Sequence, residues 1–296
     1  MYLLLYVDDI ILTGSSGMLL NSLISSLSPE FKMKDLGSLH YFLGIEIVSL
    51  ALLQLLKVLD APCMMVNHYR SLVGGLQYLT MTRPDIAFAV SYISQFVHQR
   101  TTEHLIVKRI LRYLKESLGT GITLGSSDIT SVTSYSDSDW AGCPDSRRST
   151  SGYAVFLGSS LISWTSKKQP TVSRSSAEAE YKCLANTSSE LLWISYLLKE
   201  LGICSSGVYT LLCDNLSASS LACNHVIHAR TKHIKIDYHF IRYLVQSRFL
   251  VIKFVPSLLQ LADIFTKGLA PDLFFTLVSK LMYFAHTKLE GEYKSN

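Results

Sequence analysis

Charge is scarce in this chain. Only 17% of its 296 residues are Asp, Glu, Lys or Arg, against 48% hydrophobic. So low a charge density with so much apolar content excludes disorder over most of the length, and the chain is long enough to bury a full core. The excess of one sign is small too. With 27 Lys+Arg against 23 Asp+Glu, the formal charge is +4, which permits a nucleic-acid partner without arguing for one. Cysteine is sparse: Cys63, Cys143, Cys183, Cys204, Cys213 and Cys223 form no CxxC pair and no CxxC…HxxxH series. That excludes the usual zinc ribbons and fingers, points away from a disulfide framework and fits a reducing compartment. No run reaches the roughly 18 apolar residues of a membrane span. The opening MYLLLYVDDIILTG lacks a basic start and is interrupted by Asp8-Asp9, unlike a signal peptide. The expectation is a soluble intracellular protein with no membrane partner; its oligomeric state is not legible.

What is present is periodic. YLLLYV and IILT around Asp8-Asp9 read as two buried strands of a hairpin, residues 18–28 as a helix, and 41–48 as a further strand. Residues 49–66 are apolar without clear periodicity. From Tyr69 to Leu118 the pattern is helical, broken at Thr82–Asp85. Asp85 is a candidate N-cap, and the stretch from His104 is an amphipathic helix carrying Lys108, Arg109, Arg112 and Lys115. Beyond residue 130 the organisation changes. SVTSYSD (131–137), GYAVFLG (152–158) and LISWTS (161–166) read as a three-stranded meander, and Ser175–Leu201 as a long helix. VYTLLCD (208–214) is a fourth strand, 215–225 and 231–246 are helices, FLVIKFVP (249–256) is a fifth strand, and 258–268 a last helix. This order predicts an α/β domain with a mixed five-stranded sheet flanked by helices.

Four acids fall where such a layout concentrates chemistry. Asp137 and Asp214 close strands, Glu180 lies among small and apolar residues of the long helix, and Asp263 sits near the start of the last one. Strand-end acids project from the sheet edge, where open α/β sheets build their sites. Carboxylates converging without matched cations repel, and hard divalent ions with oxygen preference relieve that repulsion. Two such ions, roughly 3.5–4 Å apart, serve phosphodiester cleavage. Spacing alone leaves alternatives open: Asp214 as a turn residue, Asp263 as a helix-start acid, and Asp139 or Glu178 in place of their neighbours. Arg147, Arg148, Lys167, Lys168 and Arg174, interleaved with Trp140 and Trp164, are candidates for a nucleic-acid groove, with core tryptophans and solvated turns as the other reading. His233 and His239 are six apart, off one helix face, so packing is expected of them rather than zinc. His225 or His228 could shuttle a proton.

YSDSDWAGCPDSRRSTSGYAVFLG (135–158), ISWTSKKQPTVSRSSAEAEY (162–181), LLCDNLSA (211–218), RTKHIKIDYHFIR (230–242) and QLADIFTK (260–267) together resemble, in order, the ribonuclease H region of copia-type LTR retrotransposon polyproteins. The resemblance implies a ribonuclease H-like fold, hydrolysis of the RNA strand of RNA–DNA hybrids, and two Mg²⁺ ions (Mn²⁺ as the substitute) on Asp137, Glu180, Asp214 and Asp263. It selects Asp137 over Asp139 and Glu180 over Glu178. Cys183 stands where the family has Ala, and 257–260 is more apolar than the family's polar turn.

YVDD (6–9), FKMKDLGSLHYFLGIEI (31–47) and YRSLVGGLQYLTMTRPDIAFAVSYISQF (69–96) are similar to the end of the reverse transcriptase palm and the linker that follows it in the same polyproteins. The implied division is a palm remnant (1–48), an apolar junction (49–68), thumb- or connection-like helices (69–127), the ribonuclease H-like domain (128–270) and a tail (271–296). Fingers and most of the palm are not represented, so Asp8 and Asp9 are expected to be a relict motif without polymerase activity. Cytoplasm or a virus-like particle is the implied location, and an inactive retroelement remnant is the alternative function.

Overall fold

Successive residues of an extended strand face opposite sides of a sheet, and GYAVFL obeys this closely. Tyr153, Val155 and Leu157 join one hydrophobic cluster, while Ala154 and Phe156 join another. Two cores on two faces require helices on both sides, and the computed structural model of the chain has that arrangement. It describes residues 2–6, 9–14, 16–28, 31, 41–42, 45–46, 66–96, 104–122, 124–125, 130–203, 207–223 and 235–282. Residues 49–65 of the apolar junction, Asp8, His225, His228, His233 and the end of the tail from 283 lie outside the described residues.

Two compact units are present, Met1–Asp60 and Ala61–Asn296. In the first, β1 (Tyr2–Tyr6) pairs antiparallel with β2 (Asp9–Thr13), followed by α1 (Gly17–Leu27). The Ser16 side chain caps α1 by accepting from the Leu19 N–H. The single strand expected over 41–48 is instead two short ones, β3 (Tyr41–Phe42) and β4 (Ile45–Glu46), paired antiparallel with each other.

The second unit opens with α2 (Val66–Leu79), a 3₁₀ turn (Pro84–Ile86), α3 (Ala87–Ser94) and α4 (His104–Glu116). Asp85 is not the N-cap expected from sequence. It is buried and accepts from Arg83 Nε at 3.0 Å, Arg83 Nη2 at 2.7 Å and the Tyr113 hydroxyl at 2.6 Å, while Arg83 also donates to the Ser117 carbonyl at 3.1 Å. A buried Arg needs such partners, and satisfying it takes the carboxylate away from capping. Trp164 donates its indole N–H to the Thr80 carbonyl at 3.0 Å, so these helices pack on the sheet that follows.

That sheet runs β7 (Ser160–Lys168), β6 (Thr150–Leu157), β5 (Val132–Asp139), β8 (Tyr209–Cys213), β9 (Leu250–Phe254). The first three are an antiparallel meander; β8 and β9 join parallel to β5. α5 (Ser176–Glu200), α6 (Leu216–Cys223) and α7 (Lys235–Gln246) cover one face around Tyr181, Leu184, Leu211 and Ile241. The other face is covered by the segment 261–265 and by α8 (Pro271–Leu281), whose Leu277, Val278 and Leu281 are buried although the stretch reads as tail from sequence. This is the mixed five-stranded, ribonuclease H-like fold expected. The last helix expected over 258–268 is replaced by two 3₁₀ turns, Ser257–Leu259 and Leu261–Phe265. Gln260 separates them: its backbone is extended and its side chain accepts from the Ala262 N–H, which stops α-helical continuation.

Candidate metal centre

The register of β5 against β8 places the site. Ser136 pairs with Cys213 across two parallel strands, so the next residues on each, Asp137 and Asp214, emerge side by side at the same end of the sheet. On the other flank of Asp137 the paired residue of β6 is Gly152. A Cβ there would lie 2.6 Å from Phe265 Cβ and 2.8 Å from Thr266 Cγ2. Only a glycine lets the segment 263–266 lie against β6 at this point, and that approach delivers Asp263. Gln260, fully buried, fixes the approach by donating to the Ser136 carbonyl at 3.0 Å, one residue before Asp137. Glu180 arrives from the first turns of α5, which begins at the Ser175 N-cap. Its Oε1 accepts from the Ser138 N–H at 3.1 Å.

All four acids selected by sequence are therefore brought together. Carboxylate oxygens of Asp137, Asp214 and Asp263 lie within 4.8 Å of one another, and oxygens of Glu180 and Asp214 lie equally close, with Cys213 Sγ beside them. Asp137, Glu180 and Asp263 are buried; Asp214 is half-buried and is held by the Ser257 hydroxyl at 2.8 Å. The cation against them is Lys267, whose Nζ is 2.9 Å from Asp263 and 3.7 Å from Asp137. Thr266 donates its hydroxyl to Asp137.

The electrostatics of the set are under strain. Burial, then the charge of Asp137, pushes the Glu180 carboxyl up to about 9. Burial and Asp137 also push Asp263 up to about 7, against the pull of Lys267. Glu180 Oε2 is buried with no hydrogen-bond partner. An orphaned buried oxygen amid several carboxylates and a lysine is what a hard divalent cation would satisfy, so the residues fit a metal. Cys213 fits less well: burial holds its thiol protonated, and sulfur is a soft donor.

Among the basic candidates, Lys167 and Lys168 pair with Ser151 and Thr150 on β6, directly after the Asp137–Gly152 pair, and Arg147 and Arg148 occupy the β5–β6 turn at the same sheet end. Arg147, Arg148, Lys167 and Arg174 are exposed and Lys168 half-buried. Trp140 is 48% exposed and donates to the Ser173 carbonyl; Trp164 packs against the second cluster. His239 is exposed on α7, edge-on to Tyr238. Asp9 lies in the β1–β2 hairpin, paired with Tyr6. Sequence reasoning missed Gly152, Gln260, Thr266 and Lys267. Gln260 alone carried a visible signal, a polar residue inside the apolar run LLQLA.

Residues 1–68 match the family described as reverse transcriptase (RNA-dependent DNA polymerase). Two retrovirus-related Pol polyproteins of Arabidopsis thaliana, from transposons RE1 and RE2, are 46% and 44% identical, each over 95% of this chain. The chain belongs to the copia-type retrotransposon Pol family. It corresponds to the end of the reverse transcriptase followed by the ribonuclease H-like domain, and it spans 21% and 22% of those two relatives. In fold, it is similar to the foamy viral protease-reverse transcriptase solved in complex with RNA/DNA hybrid, with a TM-score of 0.54 at 12% identity over 91% of this chain and 37% of that one. No helix among the described residues is long and apolar enough to cross a membrane.

Proposed function

We propose that the ribonuclease H-like part of the chain, residues 128–270, hydrolyses the RNA strand of RNA–DNA hybrids. The observation that carries this is the convergence of Asp137, Glu180, Asp214 and Asp263 at one end of β5 and β8, with Glu180 Oε2 unpartnered. These four would hold Mg²⁺, with Mn²⁺ as the substitute. When bound, two such ions supply Lewis-acid stabilisation of charge at the scissile phosphate and make water a better nucleophile.

The chain's own groups fix the acids. The Ser138 N–H holds Glu180 Oε1, the Ser257 hydroxyl holds Asp214, and Thr266 and Lys267 tie Asp137 to the Asp263 segment. Lys267 also offsets the repulsion between Asp137 and Asp263. Arg147, Arg148, Lys167, Lys168 and Arg174 meet the phosphates of the duplex, and the RNA strand is distinguished by its 2′-hydroxyls. The copia-type relatives and the hybrid-bound structural neighbour support this substrate class.

The test is a gel assay on a labelled hybrid. Cleavage of the RNA strand is expected with Mg²⁺, none with EDTA, and a loss of at least a hundredfold in Asp214→Asn. Equal background from both proteins would sink the enzyme reading and leave the inactive remnant.

A further inference from the structure

Gln169 is a polar side chain that the centre described above does not use, yet it is only 3% exposed. It follows β7 directly, and its N–H donates to the Ser149 carbonyl at 2.8 Å, so the pairing with β6 runs one residue past β7. From there the side chain reaches across β6 to β5 and α5. Its two amide N–H groups are shared among three acceptors: Ser151 Oγ at 2.9 Å, Ser138 Oγ at 3.2 Å and the Ala179 carbonyl at 2.9 Å. Oε1 accepts from the Ser173 hydroxyl at 3.0 Å. A carbonyl can only accept, so the nitrogen faces Ala179 and the orientation of the amide is fixed. Ser138, Ser151 and Ser173 are buried as well.

These partners flank one bond of the metal centre. Ser138 and Ser151 are opposite each other in the β5–β6 register, one residue past the Asp137–Gly152 pair. Ser138 is the residue whose N–H holds Glu180 Oε1, and Ala179 directly precedes Glu180. One amide thus spans the gap between β5 and the first turns of α5 that the 3.1 Å Ser138–Glu180 bond also spans. Glu180 needs this second tie. Its oxygens lie within 4.8 Å of those of Asp214, where like charges repel, and its Oε2 has no hydrogen-bond partner. Repulsion on the side chain is passed to the turn that carries it, and the tie to Ala179 opposes it one residue away. At the other end of the amide, the Ser173 hydroxyl accepts from Lys182 Nζ at 3.1 Å, and Lys182 pairs with Glu178 at 2.9 Å, so the network returns to α5.

We propose that Gln169 is a positioning residue: its amide clamps the first turns of α5 to β5 and β6 and so sets Glu180 against Asp137 and Asp214 at the spacing a divalent cation needs. It acts through Glu180, and the inference rests on the metal-centre reading.

Binding of Mn²⁺ to the metal-free full chain, read from the EPR signal of the free ion, tests this without turnover. Gln169→Met keeps the length of the side chain but donates nothing. It should weaken Mn²⁺ binding about tenfold or more, as for groups that orient metal ligands, while the far-UV circular dichroism of the folded chain stays as in the wild type. A double-mutant cycle separates positioning from general loosening. Added to Glu180→Gln, Gln169→Met should change the Mn²⁺ Kd by less than about twofold, because the carboxylate it positions is already gone. Ser173→Ala removes the hydroxyl that orients the amide and should weaken Mn²⁺ binding about threefold, within the worth of one hydrogen bond; it decides the matter if Gln169→Met does not fold. Wild-type Mn²⁺ affinity in the deciding variant, or an equal loss with and without the Glu180 carboxylate, overturns the positioning role and leaves the metal centre standing. A wild-type chain that binds no Mn²⁺ removes the metal centre and the positioning role with it.

Discussion

Glu180→Gln offers the sharpest check on the metal centre, because it should stabilise the metal-free protein while removing a metal ligand. Burial and Asp137 hold the Glu180 carboxyl at about 9 in the fold, against an ordinary value of 4.5. A raised acid favours the folded state at low pH. That contribution is complete below about pH 4.5 and is lost as the pH climbs towards 9, because the unfolded chain releases the proton that the folded chain retains. At pH 8 the ceiling on that loss is about 5 kcal/mol, at 1.36 kcal/mol for each of roughly 3.5 units. The titration belongs to Glu180 and Asp137 together, so the part that Glu180→Gln recovers is smaller than that ceiling, on the order of 2 kcal/mol. Gln keeps an oxygen for the Ser138 N–H and places an amide beside Asp137. For a unit of this size the gain corresponds to a melting temperature higher by about 4–8 °C. Thermal unfolding followed by circular dichroism in EDTA at pH 8 measures it. The advantage should shrink steadily towards pH 5. Adding Mg²⁺ should raise the wild type more than the variant, since only binding to the folded state stabilises. A variant that melts below the wild type in EDTA at pH 8, or a difference that ignores pH, would refute the reasoning.

Three further outcomes follow from particular contacts. Gly152→Ala should cost at least about 2 kcal/mol, because its Cβ meets the Phe265 and Thr266 side chains at 2.6 and 2.8 Å, and it should abolish hybrid cleavage by displacing Asp263; denaturant titration and the gel assay read both. Asp85→Asn leaves the buried Arg83 guanidinium without its counter-charge and should destabilise the Ala61–Asn296 unit by about 3–5 kcal/mol in urea unfolding. Cys143 should alkylate with a midpoint near pH 7: burial alone would raise its thiol, but the Lys168 ammonium 2.9 Å away and Ser146 bring it down to about 7. In Lys168→Met the iodoacetamide rate profile should move to higher pH.

Much of the fold was legible because its signals are local. The period-two alternation of GYAVFL and the apolar run TLLC fixed strands, the long helical stretch from Ser175 to Leu201 fixed α5, and their order fixed the α/β class. Legibility failed where a tertiary contact overrode a local preference. Asp85 has the look of a cap, but a buried Arg83 needed it more. Residues 258–268 have helical composition, but the Gln260 side chain, satisfied by Ser136 and Ala262, breaks them into two 3₁₀ turns. The stretch from 271 reads as tail, but α8 has a sheet face to cover.

The candidate site divides along the same line. The sequence by itself determined which residue types were available: an acid expected to close the first strand, which lies two residues inside the end of β5, one directly after β8, one in a helix among small residues, one in LADIFTK, and a resemblance that chose among near neighbours. Only the tertiary structure decided that they meet. The parallel register of Ser136 with Cys213 sets Asp137 beside Asp214, and the missing side chain at Gly152 admits the Asp263 segment. The tether of Gln260 sets where that segment turns. Lys267, invisible as a site residue in sequence, becomes the counter-charge of the centre because its place four residues on from Asp263 returns it to the same acids. Repulsion among carboxylates is a property of distance, and distance between residues 137, 180, 214 and 263 is set by strand register and by close packing, which no local pattern encodes.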